Sequence, residues 1–235
     1  MTQDISIVIP FHNEEESLRV LISLVMETIR ASSKSFEVIL VDDASTDNSV
    51  EVVRGYQEQY PIIKLIQLPE RRGQTGCYKE AFQQLQGQYI IRMDADLQDD
   101  PKDLPKFVEK IDQGSDLVMG LRECRKHSRI LRLIGGIYDL MILALFNSPL
   151  HSNSGSYVAF KGDLVKNIPW RKGDHRYLPL IAMRRGAKNT TEIFVQHNER
   201  KWGKSKYNTF KKVVLGIPEV FLFLLRYKLG IYDLK

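Results

Sequence analysis

The sequence is poor in cysteine and in long apolar runs, and each shortage excludes a class of protein. Its 235 residues include two cysteines, Cys77 and Cys124, whose spacing fits neither a disulfide framework nor a structural zinc site. No run approaches the roughly 18 uninterrupted apolar residues that a membrane-spanning helix requires. The opening MTQDISIVIP lacks the basic and apolar regions of a signal peptide. We therefore expect a cytoplasmic protein, soluble or peripheral at the cytoplasmic face of a membrane.

Glycine is also missing from the segment that follows the first apolar run. Ile5–Ile9 leads into Pro10–Glu14, which reads PFHNE. A nicotinamide or flavin enzyme would need a GxGxxG turn at this point, and a nucleotidyltransferase would need a glycine-rich loop. The sequence therefore argues against both classes.

Positive charge is concentrated towards the carboxyl end. The formal net charge is +5, yet residues 184–235 contain twelve Lys and Arg against four Asp and Glu. Such a segment is either a solvated basic surface or a contact for a polyanion, such as a diphosphate, a phospholipid headgroup or a nucleic acid. A nucleic-acid-binding module would leave the acidic motifs described below unexplained, so we expect no nucleic-acid partner.

Strand-like runs alternate with amphipathic stretches along most of the chain, which predicts an α/β fold with a Rossmann-like, mainly parallel sheet flanked by helices. Asn13 is expected to cap the first helix. Asn208–Lys228 has the pattern of an interfacial helix. We predict one domain over residues 1–207 and a basic, apolar helical appendage over 208–235. The predicted strands are Ile5–Ile9, Phe36–Val41, Ile62–Leu68, Tyr89–Met93, Asp116–Leu121, Ser156–Phe160 and Thr191–His197.

Polar residues follow three of the first four predicted strands, as Pro10 to Glu14, Asp42-Asp43 and Asp94-Ala95-Asp96. Ligands of an open parallel sheet bind beyond the carboxyl ends of its strands. Two carboxylates spaced i, i+2 after a buried strand can bind Mg²⁺ or Mn²⁺, which would bridge them to a nucleotide diphosphate. The third motif therefore predicts a metal-diphosphate site.

Five segments of the chain form one ordered set of motifs: SIVIPFHNEEESL (Ser6–Leu18), VILVDDASTDNS (Val38–Ser49), RRGQTGCYKEAF (Arg71–Phe82), MDADLQDDP (Met93–Pro101) and HNERKWGKSKYN (His197–Asn208). In this order they resemble the family 2 glycosyltransferases of the GT-A fold. The fourth segment, followed by RKWGKSKY in the fifth, is most similar to the dolichol-phosphate mannose synthase and polyprenyl-phosphate branch of that family.

The resemblance implies a role for each matching residue. Pro10 and Glu14 would line the nucleoside pocket, while Asp43 would recognise the base and Asp42 would support its turn. The implied metal ligands are Asp94, Asp96 and Gln98. Asp94 would also lie over the ribose or the sugar of the donor. The segment Arg71–Gln74 is shorter than the family's usual version.

The resemblance also implies cationic residues around the phosphates. A basic loop would close over the donor diphosphate or the acceptor phosphate, and Arg122 would face the acceptor. Cations at these positions stabilise charge that develops on a leaving diphosphate. The implied catalytic residues are Asp96, Arg122, Arg200 and Lys206, and the implied binding residues of the loop are Lys204 and Ser205.

The implied reaction is an inverting transfer of a sugar from a GDP- or UDP-sugar to a polyprenyl phosphate, dependent on Mg²⁺ or Mn²⁺. An ionised phosphate needs no general base, whereas a saccharide hydroxyl, the alternative acceptor, does. Asp99, Asp100 and Asp174 are the candidates for such a base, and Asp174–Arg176 resembles an acceptor-site segment. A catalytically inactive scaffold is the second alternative. Contact with a membrane would be peripheral or made through a membrane partner protein.

Overall fold

The computed structural model describes residues 3–122, 136, 140–151, 155–199 and 209–234, with only the backbone for 209–217. The strands are β1 (Ile5–Phe11), β2 (Phe36–Asp42), β3 (Ile63–Gln67), β4 (Tyr89–Arg92), β5 (Leu117–Arg122), β6 (Val158–Lys161) and β7 (Thr190–Val195). The helices are α1 (Glu15–Arg30), α2 (Ser49–Gln59), α3 (Gly73–Ala81), α4 (Leu104–Asp112), α5 (140–146), α6 (Leu178–Arg184) and α7 (Thr209–Lys228). Short 3₁₀ turns cover Pro101–Asp103, Gly162–Leu164 and Asp174–Tyr177.

The seven strands form one sheet in the order β3-β2-β1-β4-β6-β5-β7. All neighbours run parallel except β6, which is antiparallel to both β4 and β5. The predicted α/β architecture with a mainly parallel sheet is therefore confirmed. The reversal of β6 is not visible in the sequence, because a strand's direction depends on where the chain re-enters the sheet.

Strand β1 continues through Pro10, although proline usually ends a strand. The Val8 carbonyl accepts a hydrogen bond from the Met93 amide, on the β4 side. Residues two apart in a strand point their backbone groups to the same side, so the nitrogen of Pro10 also faces β4. Because β4 ends at Arg92, opposite Val8, no ladder bond is lost at Pro10.

Two features near the helices differ from expectation. The N-cap of α1 is Glu14 and not Asn13. Asn13 has a φ of 55° and accepts a 2.8 Å bond from the Thr46 amide, so it joins the ends of β1 and β2. Helix α6 is missed by periodicity because its first five residues, Leu178–Ala182, are all buried and give no amphipathic pattern.

The core lies in two layers, one on each face of the sheet. Alternate residues of β1 divide between them, with Ile7 and Ile9 on one face and Val8 on the other. The first layer includes residues of α1, α2 and α4, and the second includes residues of α3, α5, α6 and α7. Strands buried on both faces explain the continuous apolar runs in the sequence.

Helix α7 contributes to the second layer through its inner face. Phe223 is 1% exposed and stacks on Tyr177 with ring centroids 4.1 Å apart, while Val220 is fully buried. The division at residues 207 and 208 stays a prediction, but the described end of α7 shares its core with the sheet. Within the described residues, no helix combines the length and apolar character that crossing a membrane requires.

The two faces of α7 predict different costs of truncation. Phe223→Ala should lower the free energy of unfolding by about 3–5 kcal/mol, because it leaves a cavity beside Tyr177. Phe221→Ala, on the same helix but 53% exposed, should cost less than about 0.5 kcal/mol. Urea unfolding of both variants measures the difference, and equal costs would contradict the packing of α7 on the domain.

Candidate functional site

The candidate site lies where the strand order changes direction. Strands β2 and β3 follow β1 on one side of the sheet, whereas β4 pairs with β1 on its other side. In such sheets the crevice at this switch point, beyond the carboxyl ends of the strands, receives the ligand. Phe11, Asp42 and Arg92 are the last residues of β1, β2 and β4. The three predicted polar motifs therefore converge on one edge.

Asp43 holds the start of α3. Its Oδ1 accepts hydrogen bonds from the amides of Arg72 at 2.6 Å and Gly73 at 2.9 Å. Gly73 has a φ of 66°, which glycine adopts without strain. The neighbouring Asp42 is buried and accepts a 2.9 Å bond from the Ser45 amide. Both carboxylates thus shape the turns around the crevice, and contact between Asp43 and a base stays a prediction.

Glu14 and Pro10 lie at the same edge. The Glu14 amide donates to Ser49 Oγ at 2.9 Å, and its Oε2 accepts from Ser17 Oγ at 2.9 Å. Pro10 is buried in β1 opposite Val41 of β2. Both residues thus lie near the carboxyl end of β1, and contact between them and a nucleoside stays a prediction.

Asp94 is held by two hydrogen bonds, one to α3 and one to its own turn. Its Oδ1 accepts a 3.0 Å bond from Gln74 Nε2 near the start of α3. Its backbone amide donates to Asp99 Oδ2 at 3.2 Å. Sequence reasoning placed Gln74 in a matching segment but missed its contact, because nothing in the sequence connects it with a carboxylate twenty positions later.

Asp96 and Gln98 form a tight turn beside Asp94. The Gln98 amide donates to Asp96 Oδ1 at 3.1 Å, and Leu97 between them has a φ of 60°. Asp94, Asp96 and Gln98 are each half-buried, so all three reach the crevice surface. Two carboxylates and an amide oxygen are hard ligands suited to Mg²⁺ or Mn²⁺, which complete their shells with phosphates and water. Among the described residues there is no metal-competent cluster of three or more His, Cys, Asp or Glu.

Asp99 lies behind this turn and is 1% exposed. Burial and the charge of Asp94 raise its pKa to about 6, against the opposing effects of Arg122 and Ser156. Asp174 is also 1% exposed, and burial raises its pKa as well. Both groups are therefore more basic than an exposed aspartate, and proton transfer from a substrate to either stays a prediction.

Arg92 is a buried cation that sequence reasoning missed. It is 4% exposed, and its guanidinium donates to the carbonyls of Ser156 at 3.0 Å, Gly155 at 2.6 Å and His175. Its charge also lies 5.5 Å from the centroid of the Tyr78 ring. Arg92 therefore joins the end of β4 to two loops. An arginine inside an apolar strand is a signal that the sequence offers. The sequence does not reveal which groups the arginine contacts.

Each residue of the segment Asp174–Arg176 contacts a different part of the protein. His175 Nδ1 is hydrogen-bonded to Thr75 Oγ1 at 2.7 Å, while Arg176 pairs with Glu219 of α7. Burial and the charges of Arg92 and Arg176 lower the pKa of His175 to about 3, so its ring is neutral at ordinary pH. Asp174 Oδ1 accepts a 2.9 Å bond from the Tyr232 hydroxyl. These contacts connect α3 with α7 and Tyr232, and a role of the segment in acceptor binding stays a prediction.

Arg122 ends β5 and is half-buried, and its Nη2 donates to Ser156 Oγ at 3.1 Å. Just before the predicted basic loop, the Asn198 amide donates to the Gln98 carbonyl at 3.0 Å, and Asp99 forms a bridge with His197. The chain thus enters that loop from beside Asp96 and Gln98. Arg200, Lys204, Ser205 and Lys206 themselves lie outside the described residues.

A family model described as Glycosyl transferase family 2 matches residues 6–167, more than half of the chain. The chain is 33% identical to the undecaprenyl-phosphate 4-deoxy-4-formamido-L-arabinose transferase of Pectobacterium carotovorum, over 91% of this chain and 65% of that protein. It is 30% identical to the transferase of the same description from Edwardsiella ictaluri, over 91% of this chain and 66% of that protein. The chain thus spans slightly less than two thirds of the length of these curated relatives.

Solved structures show the same fold. Glucosyl-3-phosphoglycerate synthase from Mycobacterium tuberculosis, with Mn²⁺, UDP-glucose and phosphoglyceric acid, gives a TM-score of 0.71 at 17% identity, over 96% of this chain and 79% of that one. A mannosyltransferase from Pyrobaculum calidifontis, with GDP-Man and Mn²⁺, gives a TM-score of 0.65 at 19% identity, over 98% of this chain and 70% of that one. At these identities the likeness concerns the fold, and it confirms the predicted GT-A architecture.

The depressed pKa of His175 predicts a stability that depends on pH. Its folded-state pKa of about 3 lies below the ordinary value of 6.5, so the unfolded chain binds the proton first. The stability that neutral His175 provides is therefore complete above pH 6.5 and is lost as the pH falls. Relative to His175→Gln, the wild type should lose as much as about 1.4 kcal/mol per pH unit between roughly pH 6 and 4.

Urea unfolding at several pH values measures this loss, with His151→Gln as the control. His151 is exposed and pairs with Glu192, which raises its pKa, so its effect should be small and of opposite sign. Parallel stability curves for wild type and His175→Gln would contradict a neutral, buried ring.

Proposed function

The chain belongs to glycosyl transferase family 2, and from that membership we propose that it transfers a sugar from a nucleoside-diphosphate sugar to a polyprenyl phosphate. The observation that carries the proposal is the turn of Asp94, Asp96 and Gln98 at the switch point of the sheet. Relatives whose printed names describe transfer to undecaprenyl phosphate support the acceptor class.

On the donor side, the crevice between β1, β2 and β4 would receive the nucleotide. Pro10, Glu14 and Asp43 would border its nucleoside end. Asp94, Asp96 and Gln98 would hold Mg²⁺ or Mn²⁺, and a bound cation would neutralise charge on the leaving diphosphate. The structural neighbours contain Mn²⁺ with either UDP-glucose or GDP-Man, so they support the metal class without deciding between the two bases.

On the acceptor side, the chemistry favours a phosphate over a saccharide hydroxyl. A phosphate oxygen is already ionised near neutral pH, so positioning and charge stabilisation suffice for attack at the anomeric carbon. A hydroxyl needs a base, and two of the three candidates, Asp99 and Asp174, are buried. Arg122, together with Arg200, Lys204, Ser205 and Lys206 of the basic loop, supplies groups that suit a phosphate.

Transfer to undecaprenyl phosphate tests this proposal, with GDP- and UDP-sugars as donors and Mn²⁺ present. Asp96→Asn should lower kcat by about 10²–10³, since it removes a ligand that acts on the developing charge, and a chelator should abolish turnover. Asp163→Asn, whose side chain is 86% exposed, should retain wild-type activity.

Three results would count against parts of the proposal. Nucleotide release without a lipid-linked sugar would move the acceptor to a saccharide or water. Full activity of Asp96→Asn would remove the metal-site assignment. Metal-dependent nucleotide binding without turnover of any donor would favour an inactive scaffold.

The outer face of α7 supports peripheral contact with a membrane. Phe221, Leu222 and Leu225 lie on one side of α7, and Leu229 directly follows the helix; all four are 49–69% exposed. Lys228 beside them is exposed, whereas Arg226 is drawn inwards to Asp174 at 3.4 Å. An apolar face with an adjacent cation suits the surface of an anionic bilayer, where the lipid acceptor would reside.

Sedimentation with vesicles that contain phosphatidylglycerol tests this contact. Replacing Phe221 and Leu225 together by serine should weaken binding at least tenfold, because both side chains would leave the interface. Phe194→Ser is the control, since Phe194 is 63% exposed on the edge strand β7. Equal binding by all three proteins, or no binding by the wild type, would contradict membrane docking through α7 and favour a separate membrane partner.

A further inference from the structure

Ser156 lies at the crossing of several segments that the proposed reaction requires. It precedes β6, and its carbonyl accepts the 3.0 Å bond from Arg92 Nε. Its position is thereby fixed relative to β4, the strand that leads into Asp94. Family resemblance assigns no role to this residue.

The hydroxyl of Ser156 connects two charged side chains. It donates to Asp99 Oδ2 at 2.8 Å and accepts from Arg122 Nη2 at 3.1 Å. The same Asp99 oxygen accepts the Asp94 amide at 3.2 Å. A continuous hydrogen-bonded chain therefore runs from Arg122, through Ser156 and Asp99, to Asp94.

The two ends of this chain belong to the two halves of the proposed reaction. Asp94 lies in the donor and metal turn, whereas Arg122 is assigned to the acceptor side. An arginine side chain has many rotamers, and fixing it in one of them costs conformational entropy. A guanidinium carries five N–H donors, so one can be fixed to Ser156 while others bind a phosphate.

We infer that Ser156 is a positioning residue, which orients Arg122 towards the acceptor phosphate and aligns it with the donor turn through Asp99. This inference rests on the proposed function. Serine suits the task because its single hydroxyl donates to the carboxylate and accepts from the guanidinium at once. Alanine would remove both contacts, whereas threonine would keep the hydroxyl.

Steady-state kinetics with undecaprenyl phosphate and the active nucleotide sugar tests the inference. Ser156→Ala should raise KM for the lipid about tenfold, the effect of one hydrogen bond to a charged group, and should leave KM for the donor within about twofold. Ser156→Thr should remain within about threefold of the wild type in both values. A lipid KM that does not change in Ser156→Ala, or two KM values that rise together, would overturn the assignment.

Ser115→Ala is the matched control for general damage to the sheet. Ser115 is 3% exposed and bonds Thr191 Oγ1 at 3.0 Å before the other end of β5. It should lose stability without a selective change in either KM. A lipid KM that rises equally in Ser115→Ala and Ser156→Ala would reduce Ser156 to a structural role.

A second measurement separates this inference from the proposed function, because it needs no turnover. A double-mutant cycle of Ser156→Ala and Arg122→Gln in urea unfolding should show coupling of at least about threefold in the unfolding equilibrium constant. Independent effects would overturn the link between the two side chains. If the wild type transfers no sugar to the lipid while the cycle shows coupling, the proposed function fails and only the contact stands.

Discussion

The buried guanidinium of Arg92 is the interaction on which the site's geometry depends. Moving a cation out of water is costly unless its donors are satisfied, and Arg92 satisfies them with the carbonyls of Gly155, Ser156 and His175. These carbonyls belong to two loops that the sheet alone does not hold. Because Arg92 ends β4, the cation fixes both loops relative to the turn that follows that strand.

The carboxylates at the same edge are engaged before any ligand binds. Asp43 accepts the Arg72 and Gly73 amides, and Asp94 accepts Gln74, so α3 begins against both aspartates. Bonds of this kind set the rotamers of the side chains that a nucleotide and a cation would meet. A site organised in advance loses less free energy to reorganisation when charge develops.

Sequence reasoning reached the fold and the donor motif because both are local in the chain. Runs such as Phe36–Val41 indicate strands, and Asp94-Ala95-Asp96 directly follows the predicted strand Tyr89–Met93. Arg92 and Ser156 are 64 positions apart, and their contact exists only because β6 enters between β4 and β5 in the reverse direction. The hydrogen-bonded chain from Arg122 to Asp94 depends on the same strand order. Composition and spacing carry no record of that order, so these contacts become visible only in three dimensions.

The two faces of α7 connect the end of β4 with the surface at which a lipid acceptor would lie. Phe223 packs against Tyr177, which directly follows Arg176, so the helix is joined to the loop that Arg92 holds. Its outer face presents Phe221 and Leu225 to solvent. A chain of contacts thus runs from an exposed apolar surface to the end of β4. If that surface rests on a bilayer, the rigid core would set the distance between the lipid phosphate and the donor crevice. A phosphate acceptor positioned in this way would need no general base, whereas a hydroxyl acceptor would need one. The reaction would then not depend on proton transfer to Asp99 or Asp174.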